Sequence, residues 1–273
     1  MSFLALALLF VVAAPSLAQT HSDEETCKPV TVETRRIAGR AVERIYGEPT
    51  TVEFTSGMMI DADGALRAYH PGDAPGLDRL EHAGAPGNWW GVVTNDGTPG
   101  GEPVVQGEGD PAPGFYVSQT SLADPEKALD DPRRYVDALA VPYLALQEVF
   151  VRELGCRLGD FAWVTREEVG GAAHRSAAIF ADVAAPHLPV GEGSIALAER
   201  LAIPSSPRSG GTFRASVRYV LFCGSGNGLP RPVAEIDAEG ARLAAARRSR
   251  DAAACPRRSG DLGFRRAERW PSG

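Results

Sequence analysis

The sequence predicts a mainly β single domain with a few helices, and three observations carry that prediction. Short apolar segments recur along the chain between turn signals at Asp63-Gly64, Pro71-Gly72, Pro86-Gly87 and Asp96-Gly97. About nine of these segments have the length and residue types of strands, and few have those of helices. Roughly 255 residues remain once an export segment is set aside, which suits one substantial core, and no internal repeat is visible.

Pro29 to Thr34 (PVTVET) alternates as a strand does. Gly and Pro are then frequent as far as Gly114, and Thr51 to Phe54, Ala65 to Tyr69, Trp90 to Val93 and Pro103 to Gln106 read as short strands between turns. Phe115 to Thr120 continues the rhythm; Asp124 to Asp137 is polar and carries Pro125 and Pro132; Ala138 to Leu146 is a further apolar strand. Val149 to Gly155 fits a helical turn or a continued strand, and Asp160 to Thr165 fits a strand. Ser176 to Phe180 suits a buried strand, whereas Ser194 to Leu201 starts on a good N-cap residue and continues with helix formers. Phe213 to Phe222 alternates and then turns wholly apolar, as a strand entering the core does. Glu235 to Arg248 is Ala-rich and helix-prone, and the Arg/Pro/Ser/Gly end reads as a mobile tail.

The chain opens with an apolar run that ends in Ser16-Leu17-Ala18, a small-x-small cleavage pattern, although no Lys or Arg precedes it. Residues 1–18 are therefore expected to be a signal peptide, 19–28 a disordered segment, 29–240 the folded domain and 241–273 a helical, Arg-rich tail. Four cysteines, Cys27, Cys156, Cys223 and Cys255, suit an exported protein with up to two disulfides; three pairings are open, and a compact zinc signature is ruled out by their separation. Net charge is −7, but residues 1–240 carry 19 basic and 32 acidic residues while the tail is net positive. An acidic body repels nucleic acid and favours a cationic ligand.

Several motifs carry little. Asp61-Ala62-Asp63-Gly64 begins like a calcium loop, but residues 65–69 supply no further oxygen ligands and a hairpin turn explains the same letters. No metal is expected. Gly224-Ser225-Gly226-Asn227-Gly228 lacks the Lys of a P-loop, and no G-x-S-x-G elbow accompanies the scattered histidines. Of the adjacent pair Trp89 and Trp90, one is expected in the core and the other as a wall that stacks on sugar rings; Tyr116 has the same two readings.

Residues 176–211 hold the most functional information. Asp182 and Glu192 flank a Pro/Gly turn between a strand and a helix, where a rigid scaffold holds side chains for chemistry. Two such carboxyls can protonate a glycosidic oxygen and activate water, and a turn former beside a solvated loop charge accounts for the same spacing. The apolar run before Asp182 favours it as the acid, and the helix start after Glu192 favours it as the ionised base; the roles stay open.

The segment IFADVAAPHLPVGEGSIALAERLAIPSSPRSGG resembles the active-site region of glycoside hydrolase family 75, the chitosanases of fungi and bacteria. The blocks IDADGALRAYHP, GLDRLEHAGAPGNWW, PVVQGEGDPAPGFYVSQTSL, DPRRYVDALAVPYLAL and GCRLGDFAWV follow in the same order, so that the resemblance covers roughly residues 55 to 225. It implies a double-psi β-barrel-like fold and an exported endo-chitosanase that hydrolyses β-1,4-linked glucosamine polymer with inversion, using Asp182 and Glu192. It implies a monomer that needs no cofactor and binds a cationic polysaccharide, and no nucleic acid or membrane after signal cleavage. Asp61 and Asp63 are then candidates for ammonium contacts, Trp89 and Tyr116 for stacking, with Asp96 and Asp110 as further acids. The alternatives are another amino-sugar polymer as substrate, or a non-catalytic glycan-binding protein.

Overall fold

The computed structural model describes residues 27–28, 30–168 and 170–254, so the expected signal peptide and residues beyond 254 lie outside the described residues. In chain order the elements are β1 (Val32–Ile37), β2 (Arg40–Ile45), β3 (Thr51–Asp61), β4 (Gly84–Ala85), β5 (Asn88–Trp89), β6 (Tyr143–Gln147), α1 (Val149–Arg152), β7 (Phe161–Glu167), β8 (Ala173–Ala184), β9 (Glu192–Ser194), α2 (Ile195–Arg200), β10 (Thr212–Leu221) and α3 (Val233–Ala253).

Strands β3, β10, β7, β8, β6 and β9 are hydrogen-bonded in that order, and β9 pairs back onto β3, which closes a six-stranded barrel in a single, mainly β domain. The pairings β3–β9 and β6–β8 are parallel and the rest of the ring is antiparallel. This is the expected fold class. Closure removes the exposed edges that short strands would otherwise present. Apolar side chains from β3, β6, β8 and β10 fill the core, where Phe54 stacks on Tyr219 with ring centroids 4.6 Å apart and meets Phe150 edge-on at 5.6 Å.

Three segments depart from the sequence expectation. First, β3 runs on through Ser56-Gly57, a pair that reads as a strand end. A Cβ at residue 57 would lie 2.1 Å from the Thr212 carbonyl oxygen, so glycine here serves a close backbone approach. Second, Ala65 to Tyr69 is a series of turns, closed by hydrogen bonds from Ala65 N to Ala62 O and from Ala68 N to Ala65 O, after Gly64 at φ 76°. The other expected strands between residues 90 and 120 reduce to isolated bridges such as Val92–Ser118 and Val105–Tyr116. Third, β2 was not anticipated, because its hairpin turn is Ala38-Gly39, a weaker signal than Asn-Gly.

Helix α3 continues through residues 240 and 241, so the boundary drawn on charge falls inside it. It packs on β7 and β8 through Ile236, Gly240, Leu243 and Ala244. A Cβ at residue 240 would lie 2.6 Å from that of Ala177. The Arg-rich half is thus part of the body: Arg247 forks onto buried Glu53 of β3 at 2.6 and 2.7 Å, and Arg218 of β10 reaches it at 2.7 Å. The Cys156–Cys223 disulfide ties the end of β10 to the segment after α1. Cys255 lies outside the described residues. Among the described residues, no helix is long and apolar enough to cross a membrane.

Candidate active site

Strand β8 enters the site as a buried apolar strand and acquires one extra residue at Ala181. Leu144 of β6 faces Phe180, but Ala145 faces Asp182. Because side chains alternate along a strand, this β-bulge decides which face Asp182 takes. Leu122 N donates to the Ala181 carbonyl oxygen at 2.8 Å and pins the bulge. On the other side of β6, Ala145 faces Glu192 of β9. Directly opposed residues of a ladder share a face, so Asp182, Ala145 and Glu192 form one row across three strands. Two interstrand spacings put the two acidic Cα atoms about 10 Å apart, with only a methyl group between them.

The row opens into a groove with a cavity volume of about 410 Å³. Asp61, Asp63, Asp78, Glu81, Asp182 and Glu192 line it, together with His82 and His187, and no Lys or Arg does so among the described residues. Asp61 ends β3, two residues beyond the Met59 that pairs with Glu192. Its carboxylate accepts from Asp63 N at 2.8 Å, a turn that brings Asp63 alongside. Tyr69 OH then donates to Asp63 at 2.6 Å. The buried Asp78 accepts from Arg79 N at 2.7 Å and meets His82 Nδ1 at 2.9 Å.

Burial of so many acids on one face disfavours their charged forms. Burial, and next the charge of Asp182, push the Asp61 carboxyl up to about 7. Asp63 is held well above the usual carboxylate range by burial and by Asp61 and Asp182. Glu192 is likewise held well above it, by burial and then by Asp61, Asp182 and Asp78. Asp182 is raised by burial as well, but hydrogen bonds to its ionised form oppose this. One of its oxygens accepts from Ser121 N at 2.8 Å, Ser121 Oγ at 2.6 Å and Val183 N at 2.8 Å. An oxygen of the Asp63 carboxyl lies within 4.8 Å of one of its own.

Asp182 is raised, as the apolar run before it implies, whereas Glu192 departs from the ionised form expected from sequence. The helix after Glu192 does not favour its charge, because the first N–H groups of α2 are already engaged: Leu197 N donates to the Ser194 cap at 3.1 Å and Ala196 N to the Ala138 carbonyl at 2.9 Å. Glu192 itself lies in β9, within the sheet.

The structure brings together Asp61, Asp63, Asp182 and Glu192. It does not bring Trp89 or Tyr116 into the groove. Trp89 is buried, its ring 6.2 Å from that of Tyr116, and both pack on the core; the groove aromatic of the Trp pair is Trp90. A strand exposes alternate residues, and sequence alone could not say which of the two faced out. Asp96 accepts from Thr98 N and Asp110 from Gly107 N, as turn residues do. The sequence reading passed over Asp78 and Ser121. A buried acid near two glycines and a serine donor 61 residues from its acceptor leave no local signal.

Asp61, Asp63 and Asp182 each offer an oxygen within 4.8 Å of the others, a donor set of the hard type that suits a divalent cation. The only other such grouping among the described residues, Cys156, Asp160 and Cys223, has both sulfurs in the disulfide. No protein-family model matches the sequence, and no curated protein matches it.

Proposed function

We propose that the protein is an exported glycoside hydrolase that cleaves a cationic amino-sugar polymer, chitosan, within the chain and with inversion. One observation carries this reading: Asp182 and Glu192 stand in one row across β8, β6 and β9, in a groove lined, among the described residues, by six carboxyl side chains and no Lys or Arg. A polycation suits such a groove, and an inverting pair needs carboxyls about 6.5–9.5 Å apart so that a water fits between base and sugar. The row spacing is compatible with that range. The resemblance of several ordered sequence blocks to family 75 chitosanases supports the same assignment.

The hydrogen bonding orders the roles. Glu192, whose carboxyl burial and the neighbouring acids push well above the usual range, is the general acid; Asp182, which accepts from Ser121 N, Ser121 Oγ and Val183 N, is the general base. Asp182 takes a proton from water as the water oxygen bonds to the anomeric carbon from the face opposite the leaving group. The glycosidic C–O bond breaks as Glu192 passes its proton to the departing oxygen. Products carry the opposite anomeric configuration, and the enzyme returns to its starting state once Asp182 has released its proton and Glu192 has taken one up from solvent. The Cys156–Cys223 disulfide supports an exported location.

The test is reducing-end release from fully deacetylated chitosan, chitin and peptidoglycan by the wild type, Asp182→Asn and Glu192→Gln. Release from chitosan that both variants lose is the expected result. Activity confined to peptidoglycan would move the substrate, and near-wild-type turnover by either variant would remove the pair.

A further inference from the structure

Phe213 is 94 % exposed, the most exposed large hydrophobic residue among those described, and it lines the same groove as the acids. Its position is built by the backbone. The β10–β3 ladder shifts register between Thr212 and Val217, so that residues 213–216 of β10 have no partner in that ladder. Two glycines seat that stretch: a Cβ at Gly57 would lie 3.2 Å from the Phe213 Cα, and one at Gly211, which has φ 84°, would lie 2.5 Å from the Met58 carbonyl oxygen. Arg214 N donates to Thr212 Oγ1 at 3.3 Å and closes a short turn around the ring. An aromatic held out in water by a fixed backbone gives up apolar burial unless a ligand covers it.

At the other end of the acids stands Trp90, 54 % exposed. Its Nε1 donates to the His82 carbonyl at 2.8 Å, and Gln119 Nε2 donates to its own carbonyl at 2.9 Å, so the indole is held in place. The next residue lies against Asp63, since a Cβ on Gly91 would come 3.1 Å from Asp63 Oδ1. Along β3, then, Phe213 lies at Gly57, Glu192 pairs at Met59, Asp61 follows, and Trp90 lies beyond Asp63. Gly57 and Asp61 alone are separated by about 13 Å of strand.

We propose that Phe213 and Trp90 are two ring-stacking platforms, one at each end of the carboxylate row, and that they bind an extended amino-sugar chain across the cleavage point. The proposal rests on the amino-sugar reading of the groove. The C–H face of a pyranose stacks on an aromatic ring, and the carboxyls between the platforms match ammonium groups on the intervening sugars.

The test is calorimetric titration of Glu192→Gln protein, which does not turn over, with glucosamine hexamers, N-acetylglucosamine hexamers and cellohexaose, and the same titrations after adding Phe213→Ala, Trp90→Ala or Phe213→Trp. Glucosamine hexamers are expected to bind about fivefold to tenfold more weakly to either alanine variant and unchanged to Phe213→Trp. Equal binding by parent and both alanine variants would overturn the platforms and leave the amino-sugar reading standing. Cellohexaose binding that falls with the alanine variants, with no glucosamine hexamer binding, would keep the platforms and overturn that reading. Failure of the parent to bind any of the three would overturn both. A wild-type dimer that Phe213→Ala dissociates in sedimentation would assign the ring to a second copy of the chain and overturn the platform.

Discussion

Strand β3 carries a buried carboxylate near each end, and the two ends treat it in opposite ways. Glu53 meets Arg218, Arg247 and Arg250, and although burial opposes it, those partners hold its carboxyl below the usual range. Asp61, eight residues on, meets Asp63 and Asp182, and burial with like charge pushes it up to about 7. An acid that clamps α3 to the barrel is neutralised by cations. The groove acids have been left without them, and a folded protein tolerates that arrangement where the unpaired charge is used.

The largest effect should come from the groove. Glu192→Gln is expected to lower turnover on chitosan by two to four orders of magnitude, about what a general acid contributes, with the melting temperature unchanged or raised. Assays of rate and melting on one sample check both halves.

The opposite end should respond in stability. Glu53→Ala strands Arg247 and Arg250 beside an empty buried site and should cost about 3–5 kcal/mol in urea unfolding. Activity below the melting transition should remain close to wild type. If Glu53→Ala abolished activity in a fully folded sample, the division between the two ends would fail.

The two ends should also give opposite dependences on pH. Asp61 has its folded-state pKa above its unfolded value, so the folded protein binds the extra proton, and stability falls as pH rises from about 4 to about 7. Glu53 is depressed, so its contribution is present above its ordinary value of 4.5 and is lost as pH falls through its lower folded value. Asp61→Asn should therefore stabilise the protein by about 1–3 kcal/mol at pH 7.5 and little at pH 4, read from urea midpoints. A gain of equal size at both would break the assignment.

The smallest effect tests what keeps Asp182 different from its neighbours. Ser121→Ala removes the 2.6 Å donor and leaves Ser121 N in place. The lower limb of the kcat/KM profile should move up by about one pH unit or less, as the loss of one hydrogen bond to a charged group implies. An unmoved limb would mean that Asp182 is not the base.

Much of the barrel was legible because its strands bury regular apolar patterns. Ser176 to Phe180 fell within β8, Phe213 to Phe222 matched β10 but for its last residue, and Ser194 to Leu201 matched α2 with its serine cap. Residues 65–120 were harder, since their Gly and Pro spacing suits both hairpins and irregular loops, and long-range bridges decide between them. Of the groove acids, Asp182 and Glu192 were noticed at a local turn and chosen on the family resemblance, and Asp61 and Asp63 were chosen because they lie in a block of that resemblance. Trp89 was the wrong member of an adjacent pair, since Trp90 lines the groove, and Phe213 was read only as strand, because the register shift that exposes it depends on β3, far away in sequence.

The single extra residue at Ala181 has one more consequence. Its carbonyl holds Leu122, and Leu122 follows the serine that binds Asp182, so one inserted amino acid sets both the direction of the carboxyl and the distance to its donor. Loss of that one codon would turn Asp182 toward the opposite face and leave the rest of the ladder free to re-register. On the proposed function, one deletion would leave a barrel that still offers its groove and has lost the means to cut.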